Sequence, residues 1–176
     1  TIIELGSSVG VLLGVISRKN DFSHYIGVEA SPENFNKISI LIGQLDNKKK
    51  YTLINKAINY SDQTVKFECS STTGSKVYHS DSIHSNSNVI SVPTTTLSKI
   101  LFDYKVNDSY CLITDIEGAE AEIFDLDQTS LNSCTTIIAE LEDIKGYTLE
   151  RQIEYLKDLG FALIERYANV FVFKKL

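Results

Sequence analysis

Short apolar runs alternate along the chain with longer segments whose apolar residues recur every three or four positions. The short runs predict buried strands at residues 2–5, 25–29, 51–55, 110–114 and 135–141. The periodic segments predict helices at residues 11–19, 32–45, 97–104, 119–126 and 148–159. Strands that alternate with helices form a mostly parallel sheet covered on both faces, so we expect an α/β fold.

Several segments refine this picture. Residues 161–166 and 169–173 predict a closing hairpin that contributes an antiparallel strand. Residues 64–69 predict an extra strand or hairpin arm, and residues 89–93 predict an edge strand that ends at Pro93. The predicted architecture is a mostly parallel, seven-stranded sheet with a C-terminal antiparallel hairpin.

Residues 70–88 differ in composition from the rest of the chain. They are rich in Ser, Thr, Asn and His, and the segment exceeds the length of about 12–15 residues that ordinary connections reach. We interpret it as a polar insertion, either a lid, a substrate loop or a disordered segment, within one domain spanning residues 1–176.

The chain contains no methionine and opens inside a predicted strand, so we infer a fragment that lacks an N-terminal element.

Composition narrows the possible partners. The net charge of −6 gives no electrostatic attraction to nucleic acid and disfavours an anionic membrane, so we predict neither as a partner. Cys69, Cys111 and Cys134 are widely spaced and form no CxxC pair, so we predict no metal site. An odd number of scattered cysteines suits a reducing compartment, which predicts a cytoplasmic location.

The first strand leads into a turn bracketed by Gly6 and Gly10. Glycines let the backbone approach a ligand closely, and the following helix offers free N–H groups at its N-terminus. Glu29 ends the second strand, where a carboxylate can accept hydrogen bonds from both hydroxyls of a ribose. A dinucleotide fingerprint needs glycine at the third and sixth positions of this turn, but Ser8 and Val11 stand there.

The observed spacing is an acid, one residue, a glycine, three residues and a second glycine, beginning at Glu4. This spacing resembles the S-adenosylmethionine site of the Rossmann-like methyltransferases. That cofactor carries an ammonium and a sulfonium centre, which suit the carboxylate of Glu4. It carries no phosphate, so the turn does not need a phosphate-binding pattern.

A second motif lies after the strand at residues 110–114. The segment 114–120, preceded by a Thr-Leu helix start, resembles the FkbM family of methyltransferases, whose motif reads Lys-Ile-Asp-Val-Glu-Gly-Ala-Glu. The matching residues are Asp115, Glu117, Gly118, Ala119 and Glu120. The chain departs from the family at Ile113, where the family carries lysine, and in the turn, where Ser7 and Ser8 replace Ala-Asn.

This resemblance implies a Rossmann-like class I methyltransferase fold, S-adenosyl-L-methionine as cofactor, and O-methylation of a hydroxyl on a small molecule such as a sugar or natural product. It assigns cofactor binding to Glu4, Gly6, Ser7, Ser8, Gly10, Glu29, Ala30, Ala57 and Asp115. Ala57 follows the third strand, where this fold meets the adenine.

The candidate catalytic residues are Asp115 and Glu117. Paired carboxylates in one crevice repel each other, which can raise the pKa of one toward that of a useful base. Alternatively, the two acids position the cofactor's ammonium end, bind a divalent ion, or serve only as a helix cap and a solvated side chain. His79, Glu140 and Glu142 are candidates for substrate binding.

Two functions of other classes stay open. A nicotinamide-dependent oxidoreductase would also place Glu29 on a ribose, although the glycine pattern counts against it. A catalytically silent cofactor-binding or scaffold domain would keep the strands and lose the acceptor pocket. The predicted partner is a small-molecule hydroxyl acceptor, and a homo-oligomer is possible.

Overall fold

The computed structural model describes residues 1–19, 21–69, 76–77, 88–144 and 146–176. Its strands are β1 Ile2–Leu5, β2 Tyr25–Val28, β3 Tyr51–Ile54, β4 Ala57–Ile58, β5 Thr64–Cys69, β6 Lys76–Val77, β7 Asn88–Thr95, β8 Tyr110–Thr114, β9 Cys134–Glu140, β10 Phe161–Tyr167 and β11 Val170–Lys175. Its α-helices are α1 Val11–Lys19, α2 Pro32–Gln44, α3 Leu97–Asp103, α4 Glu120–Leu126 and α5 Leu149–Asp158.

Seven strands form the main sheet, in the order β10-β11-β9-β8-β1-β2-β3. Every neighbouring pair from β9 to β3 is parallel, and β11 runs antiparallel to both β9 and β10. The predicted mostly parallel sheet with a C-terminal antiparallel hairpin is therefore confirmed. From β1 the chain adds strands first on one side of the sheet, as β2 and β3, and then on the other side, beginning with β8. Such a reversal between β1 and β8 opens a crevice beyond the carboxyl ends of those two strands.

The main core follows the central strands. Ile3, Leu5, Ile26, Leu112 and Ile137 are fully buried, as strands covered on both faces require. Three of the helices begin at capping residues that the sequence indicated, whose short polar side chains accept a hydrogen bond from an N–H group of the first turn. Ser31 caps α2, Thr96 caps α3 and Thr148 caps α5.

A second sheet of four strands, in the order β4-β7-β5-β6, was not predicted. The expected edge strand at residues 89–93 is its strand β7, which lies between β4 and β5 rather than at the edge and continues past Pro93 to Thr95. The prediction that this strand ends at the proline is wrong. On the side of β7 that faces β4, only Thr94 and Thr95 have strand partners. The N–H group that Pro93 lacks would therefore have no strand partner on that side, and the strand can continue past the proline.

Most of the predicted polar insertion, including His79, lies outside the described residues. Within the part of the chain that the structure describes, no helix has the length and apolar character needed to cross a membrane.

Candidate functional site

A cavity of about 260 Å³ lies at the carboxyl ends of the parallel strands. The register aligns Leu5 with Val28 on one side and with Thr114 on the other, so the segments that follow β1, β2 and β8 meet at one edge. These segments and the second sheet line the cavity through Gly6, Ser8, Val28, Glu29, Ala30, Asn34, Lys56, Ala57, Ile58, Phe67, Asp115, Ile116, Glu117 and Ala119.

The turn after β1 forms one wall. Gly6 has a φ of +83°, and its N–H group donates to the carbonyl of Val28. A Cβ atom at Gly6 would lie 1.9 Å from the carbonyl oxygen of Asp115. The turn therefore packs directly on the backbone that follows β8, and only glycine leaves room for this contact.

Glu29 lies on the same wall, and several donors orient its carboxylate. Oε2 accepts the N–H of Ser8 at 2.8 Å, and Oε1 accepts the N–H of Ser31 at 2.8 Å. Burial raises the pKa of Glu29, while these two bonds and the side chain of Asn34 oppose the rise. A carboxylate offers about four acceptor positions, so Glu29 can still accept a hydrogen bond from a ligand hydroxyl.

Glu4 lies behind the turn rather than on the cavity surface. It is buried, and the hydroxyl of Tyr25 donates to its Oε2. Tyr25 reaches it across Gly27, where an added Cβ would lie 2.9 Å from the tyrosine ring. The pKa of Glu4 is raised to about 7, mainly by burial and to a smaller extent by the charges of Glu29 and Asp115. The hydrogen bond from Tyr25 lowers it and offsets part of this rise.

Other predicted cofactor residues share this supporting position. Ser7 is buried behind the wall, and its carbonyl accepts the N–H of Gly10 at 2.8 Å. Glu4, Ser7 and Gly10 therefore shape the turn without lining the cavity. Gly6, Ser8, Glu29, Ala30, Ala57 and Asp115 all line it.

The loop after β8 carries both candidate catalytic acids. Asp115 is open to solvent, yet partial desolvation and the charge of Glu142 raise its pKa. Glu117 has a φ of +57°, a conformation that side chains rarely adopt and that is found at functional sites. Both residues line the cavity together with Glu29, so the structure brings together the acids that follow β2 and β8.

Glu120 holds this loop in place. Its buried carboxylate accepts the N–H of Ile116 at 2.6 Å and the N–H of Gly118 at 2.9 Å. Burial raises the pKa of Glu120 to about 7 in spite of these bonds. Ala119 occupies the cap position of α4, so the alternative in which Asp115 caps that helix is wrong.

Glu140 and Glu142 lie near Asp115 but outside the cavity lining. Desolvation and the charges of Asp115 and Glu142 raise the pKa of Glu140. Gln152, which is buried, donates from Nε2 to the carbonyl of Glu142 at 2.7 Å. This bond ties the segment after β9 to α5.

Several residues that line the cavity were not predicted from the sequence, namely Val28, Asn34, Lys56, Ile58, Phe67 and Ile116. Ala119 was matched to a motif but was not predicted to line the cavity. Lys56 was within reach of sequence reasoning, because it immediately precedes Ala57. Phe67 was not, because it comes from β5 of the second sheet, whose position depends on pairing with β7.

A model of the FkbM methyltransferase domain matches residues 10–163, which confirms the resemblance noted from the segment 114–120. No curated protein matches the chain. Among solved structures, the FkbM methyltransferase of Methylobacillus flagellatus KT has a TM-score of 0.65 at 12% identity, over 99% of this chain and 43% of that one.

Two further structures share the fold. Magnesium protoporphyrin IX methyltransferase of Synechocystis PCC 6803, with bound SAM, has a TM-score of 0.53 at 11% identity, over 99% of this chain and 69% of that one. A proposed tRNA methyltransferase of Streptococcus pneumoniae, in complex with S-adenosyl-L-methionine, has a TM-score of 0.57 at 10% identity, over 99% of this chain and 65% of that one. The chain spans less than two thirds of the length of several such structures, including 43% of the FkbM methyltransferase of Methylobacillus flagellatus KT.

Proposed function

Because the chain belongs to the FkbM methyltransferase domain family, we propose that it transfers a methyl group from S-adenosyl-L-methionine to a hydroxyl of a small molecule. One observation carries the proposal. The turn at Gly6, the carboxylate of Glu29 and the carboxylate of Asp115 line a single cavity at the carboxyl edge of the sheet. Ligands of such open sheets bind at this edge.

The lining residues follow one another in an order that suits this cofactor. Asp115 contacts the backbone at Gly6, and the N–H of Ser8, two residues on, bonds to Glu29. Ala30 then packs against the apolar cluster that contains Phe67. The cavity therefore runs from an acidic end, through a carboxylate suited to a ribose, to an apolar end.

This gradient fits a nucleoside with a cationic tail. The acidic end favours the ammonium and sulfonium centres, Glu29 would hold the ribose hydroxyls, and the apolar end would receive the base. Glu4 lies behind the wall, so its buried carboxyl would act on these cations through the electrostatic potential and by supporting the turn. When bound, the cofactor supplies a methyl group on a sulfonium leaving group.

Asp115 is the residue we assign to proton removal. Transfer of the methyl group that the cofactor would supply, with its sulfur as the leaving group, would require the acceptor hydroxyl to give up its proton to a group of this chain. A carboxylate with a raised pKa beside the reacting oxygen can take that proton. Glu117, in its constrained conformation, would hold another acceptor hydroxyl, with Glu140 and Glu142 at the rim of the site.

The charge distribution favours a small neutral or cationic acceptor over a nucleic acid. Glu29, Asp115 and Glu117 line the cavity, with Lys56 as a cationic lining residue, and the net charge of the chain is −6. Such a surface repels a phosphate backbone. The alternative function, a nicotinamide-dependent oxidoreductase, is disfavoured because the turn lacks the glycines that binding of a pyrophosphate requires.

A methyl-transfer screen tests the proposal. The chain is incubated with isotopically labelled S-adenosyl-L-methionine and a panel of sugars, phenols and amino alcohols, and the products are analysed by mass spectrometry. We expect label on a hydroxyl oxygen of at least one small acceptor. Label found only on nitrogen or only on added tRNA would contradict the proposed acceptor class.

A further inference from the structure

The apolar end of the cavity is built by the second sheet. Ala57 in β4 and Phe67 in β5 belong to one apolar cluster with Val65 and Val92, and both also line the cavity. Ala30, in the loop after β2, packs against the same cluster. The seven-stranded sheet thus supplies the residues for the ribose and the tail, while the second sheet supplies the wall beyond them.

Strand pairing fixes the side chain of Phe67 in that wall. β5 pairs antiparallel with β7, with Phe67 opposite Ile90 and Val65 opposite Val92. Side chains two positions apart lie on one face of a strand, so Val65 and Phe67 face the cluster together. Phe67 is only 6% exposed, so it presents a small and well-defined surface to the cavity.

We propose that Phe67 is a specificity residue that contacts the nucleobase of the bound cofactor, an inference that rests on the proposed function. The base is the flat, aromatic end of the cofactor, and an aromatic side chain gives such a ring more contact energy than an aliphatic one. Selection for the base thus resides in the second sheet, separate from the residues that hold the ribose and the cationic tail.

The test compares two ligands and three variants by isothermal titration calorimetry on the full chain. S-adenosylhomocysteine carries the base, the ribose and the amino-acid tail, whereas 5′-methylthioadenosine keeps the base, the ribose and a methylthio group but lacks the amino-acid tail. We expect Phe67→Ala to weaken both by the same factor of about ten, because the lost contact is with the shared base. Val92→Ala serves as the matched control.

Val92 belongs to the same cluster and is also buried, but it does not line the cavity. We expect Val92→Ala to bind both ligands within about twofold of the unmodified chain, since it removes cluster packing and no ligand contact. Phe67→Leu, which keeps apolar volume, should bind more tightly than Phe67→Ala and less tightly than the unmodified chain.

Three outcomes would overturn the inference while the unmodified chain still binds both ligands. These are unchanged binding in Phe67→Ala, an equal loss in Val92→Ala, or a loss confined to S-adenosylhomocysteine. The last result would place Phe67 at the amino-acid tail. If the unmodified chain binds neither ligand, the proposed function itself fails.

Discussion

Replacing Gly6 with alanine is expected to abolish cofactor binding and to lower the free energy of unfolding by roughly 3 kcal/mol. The φ of Gly6 is +83°, and the added Cβ would lie 1.9 Å from the carbonyl oxygen of Asp115. That atom belongs to the backbone, so relief requires the turn to separate from the loop after β8. This movement would open the wall between Ser8 and Glu29.

Gly14→Ala is the matched control for this substitution. Gly14 lies inside α1, and a Cβ there would meet nothing within 4 Å. Alanine should stabilise this helix by up to about 1 kcal/mol and leave ligand affinity unchanged. Urea denaturation and ligand titration of both variants give the measurement. A Gly6→Ala chain as stable as the unmodified one would contradict the packing of the turn on Asp115.

Asp115→Asn is expected to lower turnover by about 100-fold or more while changing cofactor affinity much less. The amide keeps the size and polarity of the side chain but cannot accept the hydroxyl proton. Turnover is measured with an acceptor found in the methyl-transfer screen, and affinity is measured separately by titration with S-adenosylhomocysteine. Separating the two quantities distinguishes a role in proton removal from a role in binding.

Asp108→Asn is the control for the loss of charge. Asp108 is exposed and precedes β8, at the opposite end of the strand from Asp115. We expect its turnover and affinity to equal those of the unmodified chain. Undiminished methylation by the Asp115→Asn chain would remove this residue from the mechanism, and an equal loss of affinity and turnover would reassign it to cofactor binding.

The parts of the site that the sequence predicted are those set by local patterns. A strand, a glycine turn and a helix start are contiguous, so the turn at Gly6 could be identified without tertiary information. Glu29 and Asp115 each end an apolar run, and the carboxyl ends of parallel strands meet at one edge. Their convergence on one cavity therefore followed from the order of strands and helices.

The parts that the sequence missed depend on contacts between distant residues. Phe67 reaches the cavity only because β5 pairs with β7 across a polar segment that gives no apolar signal. Glu120 matched a motif, but no pattern shows that its carboxylate turns back onto the loop at Ile116 and Gly118. The burial of Glu4 beneath Tyr25 likewise depends on the register that places Gly27 beside it.

Thermal denaturation with three ligands tests most directly whether this cavity is shaped for a sulfonium nucleoside. S-adenosyl-L-methionine and S-adenosylhomocysteine, each at 100 times its dissociation constant, should stabilise the fold by about 2.7 kcal/mol and raise the melting temperature by several degrees. NAD at the same concentration should leave the melting temperature unchanged. Stabilisation by NAD alone would contradict the account.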